Sequence, residues 1–150
     1  MDLKRRSLIF LYFSLLVGSL LYGQNWVFLA SGNSQWGGIK FYIDTTSVGP
    51  RGEYWEAWVL AELDEPYTVS GSDQSGTMQS MKFHYLVDID NKQLAIRESI
   101  GYSGPNAAGD IVADNGPFDN DSLQWQDVVP GAYASYIFAV VKQRYDAANN

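Results

Sequence analysis

Residues 81–104, MKFHYLVDIDNKQLAIRESIGYSG, narrow what this chain can fold into more than any other stretch. Phe83, Tyr85, Val87 and Ile89 alternate with Lys82, His84, Leu86 and Asp88; beyond Asp90-Asn91-Lys92-Gln93 the alternation resumes with Leu94, Ile96 and Ile100. A period of two built from aromatic and β-branched residues specifies two half-buried strands joined by a turn. A four-residue loop that pairs Ile89 with Leu94 sets Val87 opposite Ile96 and Phe83 opposite Ile100, so that one face is a continuous apolar strip. In that register Glu98 falls opposite Tyr85, which suggests a buried tyrosine–carboxylate hydrogen bond. A slip of one residue would turn the strip to water, so the pairing is strongly specified.

The flanking segments extend the same pattern. Trp26-Val27-Phe28-Leu29-Ala30 reads as a short strand, a glycine-rich turn with Gly32, Gly37 and Gly38 follows, and 39–43 is its hairpin partner. The next strand, 53–63, is apolar on both parities, with Trp55, Ala57, Val59 and Leu63 on one and Tyr54, Trp58 and Leu60 on the other. A strand with one wet face would alternate, so part of its second face is expected to be covered by an edge loop, a second layer or another subunit. Asp64-Glu65-Pro66 is expected to end it, 70–80 to form an exposed mobile loop, and 109–113 to form a short strand before the acidic loop 114–121. Pro130 suits the first turn of a helix. Tyr133, Tyr136, Ile137, Val140 and Val141 then share one helical face, and Lys142 and Arg144 suit its last turn.

With 150 residues the chain can bury the core of a single domain. Lys4, Arg5 and Arg6 precede an apolar run closed by Gly18, Ser19 and Gly23, the layout of a secretory signal peptide, so the expected organisation is a signal at 1–23 and one domain at 24–150. Leu21 is poorly suited to the position two before that cut, and an uncleaved anchor is the alternative. Removing 1–23 leaves 7 basic against 16 acidic residues, a net charge of about −9, which repels nucleic-acid phosphates and anionic lipid. The absence of cysteine excludes disulfides, thiol nucleophiles, thiolate metal sites and a lipidated N-terminal Cys.

Several motifs together resemble the surface-adhesin protein E-like domain of exported bacterial proteins. They are Trp26-Val27-Phe28; Phe41-Tyr42-Ile43-Asp44 with Ser47; Trp58-Val59-Leu60; Tyr85-Leu86-Val87-Asp88; Tyr102-Ser103-Gly104-Pro105-Asn106; and Trp125 ahead of Val129-Pro130-Gly131 and the helix. The resemblance implies an α+β fold, a six-stranded antiparallel sheet with the C-terminal helix on its concave face. It also implies binding of host matrix and serum proteins such as vitronectin and laminin, on a cell surface or in another exported location. The chain departs from the family where members commonly link helix to sheet by a disulfide, carrying Ile89 and Val141 instead. An apolar contact there constrains the unfolded chain less than a bridge, which typically contributes ~2–4 kcal/mol.

Candidate chemistry is sparse. His84, the one histidine, would need an acid and a nucleophile; Glu56 is the plausible acid and Ser99 the residue expected opposite, and a structural strand histidine is the favoured assignment. Glu56, Glu62 and Glu98 could supply two carboxylates for glycoside hydrolysis only across a cleft of roughly 5–9.5 Å. Asp114, Asp119 and Asp121 crowd oxygens as a calcium loop would, without the spacing of the helix–loop–helix motif. No cofactor is expected. Tyr54, Trp58 and Leu60 form a candidate binding patch on the sheet, the alternative being that they are ordinary second-layer residues. The expected function is therefore a non-enzymatic exported module with a protein partner; the alternative is an envelope-associated protein whose sheet face mediates self-association, as in a homodimer.

Overall fold

A computed structural model describes residues 24–71 and 74–150; the expected signal at 1–23 lies outside the described residues. The strands are β1 (Trp26–Ser34), β2 (Gly37–Asp44), β3 (Gly49–Arg51), β4 (Tyr54–Ser70), β5 (Ser75–Asp88), β6 (Gln93–Tyr102), β7 (Ile111–Asn115) and β8 (Gln126–Asp127). A 3-10 turn at Asn120–Ser122 precedes β8, and helix α1 (Tyr133–Asn149) follows it. Six strands run antiparallel in the order β1-β2-β4-β5-β6-β7, while the short β3 pairs with β4 and β8 with β6. The sheet curls and α1 lies in the hollow, as the resemblance implied. Among the described residues no helix is long and apolar enough to cross a membrane.

Alternation decides which side chains line the hollow. Ile39, Phe41 and Ile43 from β2, Ala57, Val59, Ala61 and Leu63 from β4, and Tyr85 and Val87 from β5 are buried there with Ile137 and Val141 of α1. Ile89 packs against this same core, so the two positions that depart from the family are held in one apolar cluster. On the other face, Leu86 and Ala95 are sealed by Leu123, with Tyr54 and Trp125 packed around them. One residue of the second apolar parity of β4, Tyr54, is thus covered by an edge segment of the same chain.

The structure corrects the expected register of the central hairpin. The loop is Ile89 to Lys92, so Val87 stands opposite Leu94 and Tyr85 opposite Ile96. The Asp88 carboxylate fixes this closure by accepting the Asn91 backbone N–H at 2.9 Å and its side-chain amide at 2.8 Å. Lys92 takes a left-handed φ of 53°. Further along β6, Arg97 is the extra residue of a bulge: Tyr85 faces Ile96 but His84 faces Glu98. The bulge sends Glu98 to the outer face, away from the hydroxyl of Tyr85. That hydroxyl meets Tyr133 instead, at 2.9 Å.

The strand does not end at Pro66, and Ser75–Ser80 of the expected loop belongs to β5 instead. β4 continues through Pro66 to Ser70, because the pairing with β5 is interrupted between Glu62 and Tyr67 and a residue without an N–H takes no ladder bond there. Beyond the interruption, Tyr67 pairs with Met78 and Val69 with Gly76, and Tyr67 reaches back to Trp36. A side chain at Gly76 would meet Val112 at 2.8 Å, so the position that breaks the apolar pattern is the one that lets β7 approach.

Helix α1 starts later than Pro130. Ala132 is its N-cap, and Val129-Pro130-Gly131 form a turn in which Gly131 takes a φ of 82°. Ile137 and Val141 are fully buried, whereas Tyr133 and Tyr136 sit at the rim, 38% and 46% exposed. The helix runs on to Asn149, which places Lys142 and Arg144 in its middle rather than its last turn. Lys142 pairs with Asp146 at 2.8 Å, one turn on.

Candidate functional site

On the outer face, β3, β4 and β5 bring Arg51, Glu56 and His84 together. His84 is 3% exposed, and its Nε2–H donates to Glu56 Oε2 at 2.7 Å; Arg51 reaches the same oxygen at 3.0 Å. Trp58 stacks on the imidazole with centroids 4.7 Å apart and planes 10° from parallel, and Lys82 Nζ lies 4.7 Å from the Trp58 ring centroid. His84 Nδ1 is buried without a hydrogen-bond partner. Burial holds this imidazole below its ordinary pKa, against the opposing pull of Glu56. The acid expected beside His84 is therefore there, but the hydroxyl is not: the bulge places Ser99 opposite Phe83, and Glu98 takes its place. The arrangement holds a neutral ring between a carboxylate and an indole.

The other candidate residues are dispersed. Leu60 is 2% exposed, Tyr54 lies against Trp125 at 4.8 Å, and Trp58 is half-buried between His84 and Lys82. Glu62 accepts the Asn106 backbone N–H, and burial raises its pKa. Glu56 is engaged by His84 and Arg51, so these two carboxylates serve separate contacts. Asp114, Asp119 and Asp121 are exposed, and among the described residues no three His, Asp or Glu side chains gather as metal ligands.

A concavity lies on the helix side. A cavity of about 430 Å³ is lined by Tyr85, Leu94 and Ile96 from β5 and β6, Tyr133 and Ala134 from α1, Phe118, Ser122 and Gln124 from the segment bridging β7 to β8, and Gln126 and Asp127 of β8 itself. Local sequence builds its wall. Leu123 and Trp125 turn outward into the small cluster on Leu86 and Ala95, so the intervening Ser122, Gln124 and Gln126 turn into the cavity. Phe118 is anchored where its N–H donates to the carbonyl of Arg97, the bulged residue, at 2.8 Å. Tyr133 stacks on Phe41 at 4.4 Å and divides this cavity from a second of about 320 Å³ along β1, where Tyr136 forms part of the lining. The alternation Ser122-Leu123-Gln124-Trp125-Gln126 is legible in the sequence and marks a two-faced extended segment; what it faces depends on the bulge at Arg97.

The fold has counterparts among known proteins. The structure is similar to crystal form II of Haemophilus influenzae protein E, with a TM-score of 0.54 at 14% identity over 71% of this chain and 82% of that one. Protein E from non-typeable Haemophilus influenzae aligns with a TM-score of 0.54 at 15% identity, over 83% of this chain and 88% of that one. At such identities the likeness is one of fold. No curated protein matches the chain in sequence. The family model of surface-adhesin protein E, however, matches residues 26–141, from the first residue of β1 to the buried Val141 of α1. The chain belongs to the surface-adhesin protein E family.

Proposed function

We propose that this adhesin-like protein is an exported, non-enzymatic binding module that engages a host extracellular protein of the matrix or serum. Membership of an adhesin family over residues 26–141 supports the general reading. The observation that carries it is a rim of aromatic side chains left in water around the hollow: Phe118 is 44% exposed, Tyr133 38% and Tyr136 46%. Aromatic rings held at the edge of a cavity provide contact area at low entropic cost, and such exposed groups mark interaction sites. The outer-face residues Tyr54 and Trp58 are a secondary contact in this reading, because Leu60 beside them is buried. Export includes removal of residues 1–23, and attachment to a cell surface relies on contacts other than an N-terminal lipidated cysteine.

The test is binding of the purified protein to immobilised laminin and vitronectin. Phe118→Ala with Tyr136→Ala is expected to weaken it about tenfold or more, as loss of interface anchors does, and Trp58→Ala to weaken it less. If Trp58→Ala abolishes binding and the rim variant does not, the contact lies on the outer face. If Trp58→Ala instead dissociates a concentration-dependent dimer, that face serves self-association.

A further inference from the structure

We propose that the larger cavity binds an uncharged sugar at the end of a glycan. The inference rests on the adhesion reading, since it names the part of a host glycoprotein that would be engaged. A pyranose has an apolar C–H face and a girdle of hydroxyls that both donate and accept hydrogen bonds, and the lining matches both. Leu94 and Ile96 make an apolar floor, and Phe118 and Tyr133 supply aromatic rings. One face of Tyr133 is already covered by Phe41, which leaves the remainder of its ring for the cavity.

The polar side comes from Ser122, Gln124 and Gln126, presented in a row by the extended segment. The amides of Gln124 and Gln126 engage no partner among the described residues, so each offers two donors and an acceptor to whatever occupies the cavity. Asp127 accepts from Gln93 through Oδ1 at 2.9 Å, which leaves its second oxygen for a hydroxyl. An acyl chain would leave this row of polar groups unpaired, a costly outcome in a partly enclosed site. Charge selects further. Among the described residues that line the cavity, Asp127 is the one ionised group and none is lysine or arginine, and the chain as a whole carries −7. Sialylated, sulfated and phosphorylated groups are therefore repelled. A volume of about 430 Å³ fits one sugar ring or two.

The experiment is saturation-transfer NMR on the purified protein with the methyl glycosides of glucose, galactose, mannose and N-acetylglucosamine, and with sialyllactose as the charged comparison. At least one neutral glycoside is expected to bind with about millimolar affinity, the range open to a ligand of so few atoms. The double variant Gln124→Ala with Gln126→Ala, at two exposed positions, is expected to weaken that binding about tenfold or more, and Ile111→Ala, exposed and outside the lining, to leave it unchanged. The inference is overturned if no neutral glycoside gives transfer, if the signal survives the double glutamine variant, or if the sialic acid carries it. Laminin, native and enzymatically deglycosylated, separates the two readings. Undiminished binding to the deglycosylated form with no response to glycosides overturns the sugar site and keeps the adhesion reading; glycoside binding without laminin binding supports the site and overturns the host-protein partner.

Discussion

His84 has one ring nitrogen committed to Glu56 and the other buried without a partner. A second proton would have to go on Nδ1, where nothing accepts it, and the groups around the ring divide in sign: Glu56 and Glu98 favour the charge, Arg51, Arg97 and Lys82 oppose it. Burial holds the folded-state pKa below the ordinary imidazole value of 6.5, so as pH falls through that value the unfolded chain takes up a proton that the native state refuses. Stability is full above this window and declines below it, the direction expected of a base buried neutral. Urea midpoints are expected to fall between pH 7.5 and 5.5 in the wild type, and the fall to be smaller in His84→Gln. Gly116 offers a second residue-scale test. Its φ is +101°, and an added Cβ would lie 2.6 Å from the Arg97 carbonyl, a backbone atom with little room to yield. Gly116→Ala is expected to cost about 1–3 kcal/mol in denaturant unfolding, as a strained backbone position does, and to loosen Phe118 over the cavity.

Helix α1 is held chiefly by its buried stripe, since its N-cap, Ala132, makes no side-chain hydrogen bond. Ile137 lies at the centre of that contact with no exposure, and Ile137→Ala is expected to destabilise the protein by about 2–5 kcal/mol. Equilibrium denaturation measures the loss; a cost below 1 kcal/mol would show that the helix is not part of the cooperative unit. Elements with a clean period, such as 81–89 and 137–141, were legible in the sequence because each side chain's neighbour follows from the repeat. The breaks were not. Arg97 carries no sign that it is a bulge, yet it decides that Glu98 faces His84 and where Phe118 is tied. Pro66 reads as a stop and is instead absorbed by an irregular pairing, and Gly76 erases the alternation that would have revealed the far end of the hairpin. Tyr54, Trp58 and Leu60 share the face away from α1, and the chain's own Trp125 and Lys82 lie against two of those rings. The cavity was illegible because it joins residues from β5, β6, α1 and the β7–β8 segment, which only the curl of the sheet assembles.

Across the whole molecule, the hollow is flanked by two aromatic pairs. On one side Trp55 meets Tyr145 at the far end of α1, 5.7 Å between centroids, and on the other Trp36 meets Tyr67 at the same separation where the long hairpin bends back. Between them the helix seals part of the apolar face and leaves the part lined by Phe118 and Tyr133 open. The sheet order has a consequence of its own. Each of the six main strands lies beside the main strand that precedes it in the chain. A polypeptide threaded through a translocation channel from its N-terminus can therefore zip up strand by strand as it emerges, with no need to wait for a distant partner. The helix comes last. Until Ile137 and Val141 arrive, the concave face of an almost finished sheet stands bare, and that interval is when the nascent protein is most vulnerable to aggregation.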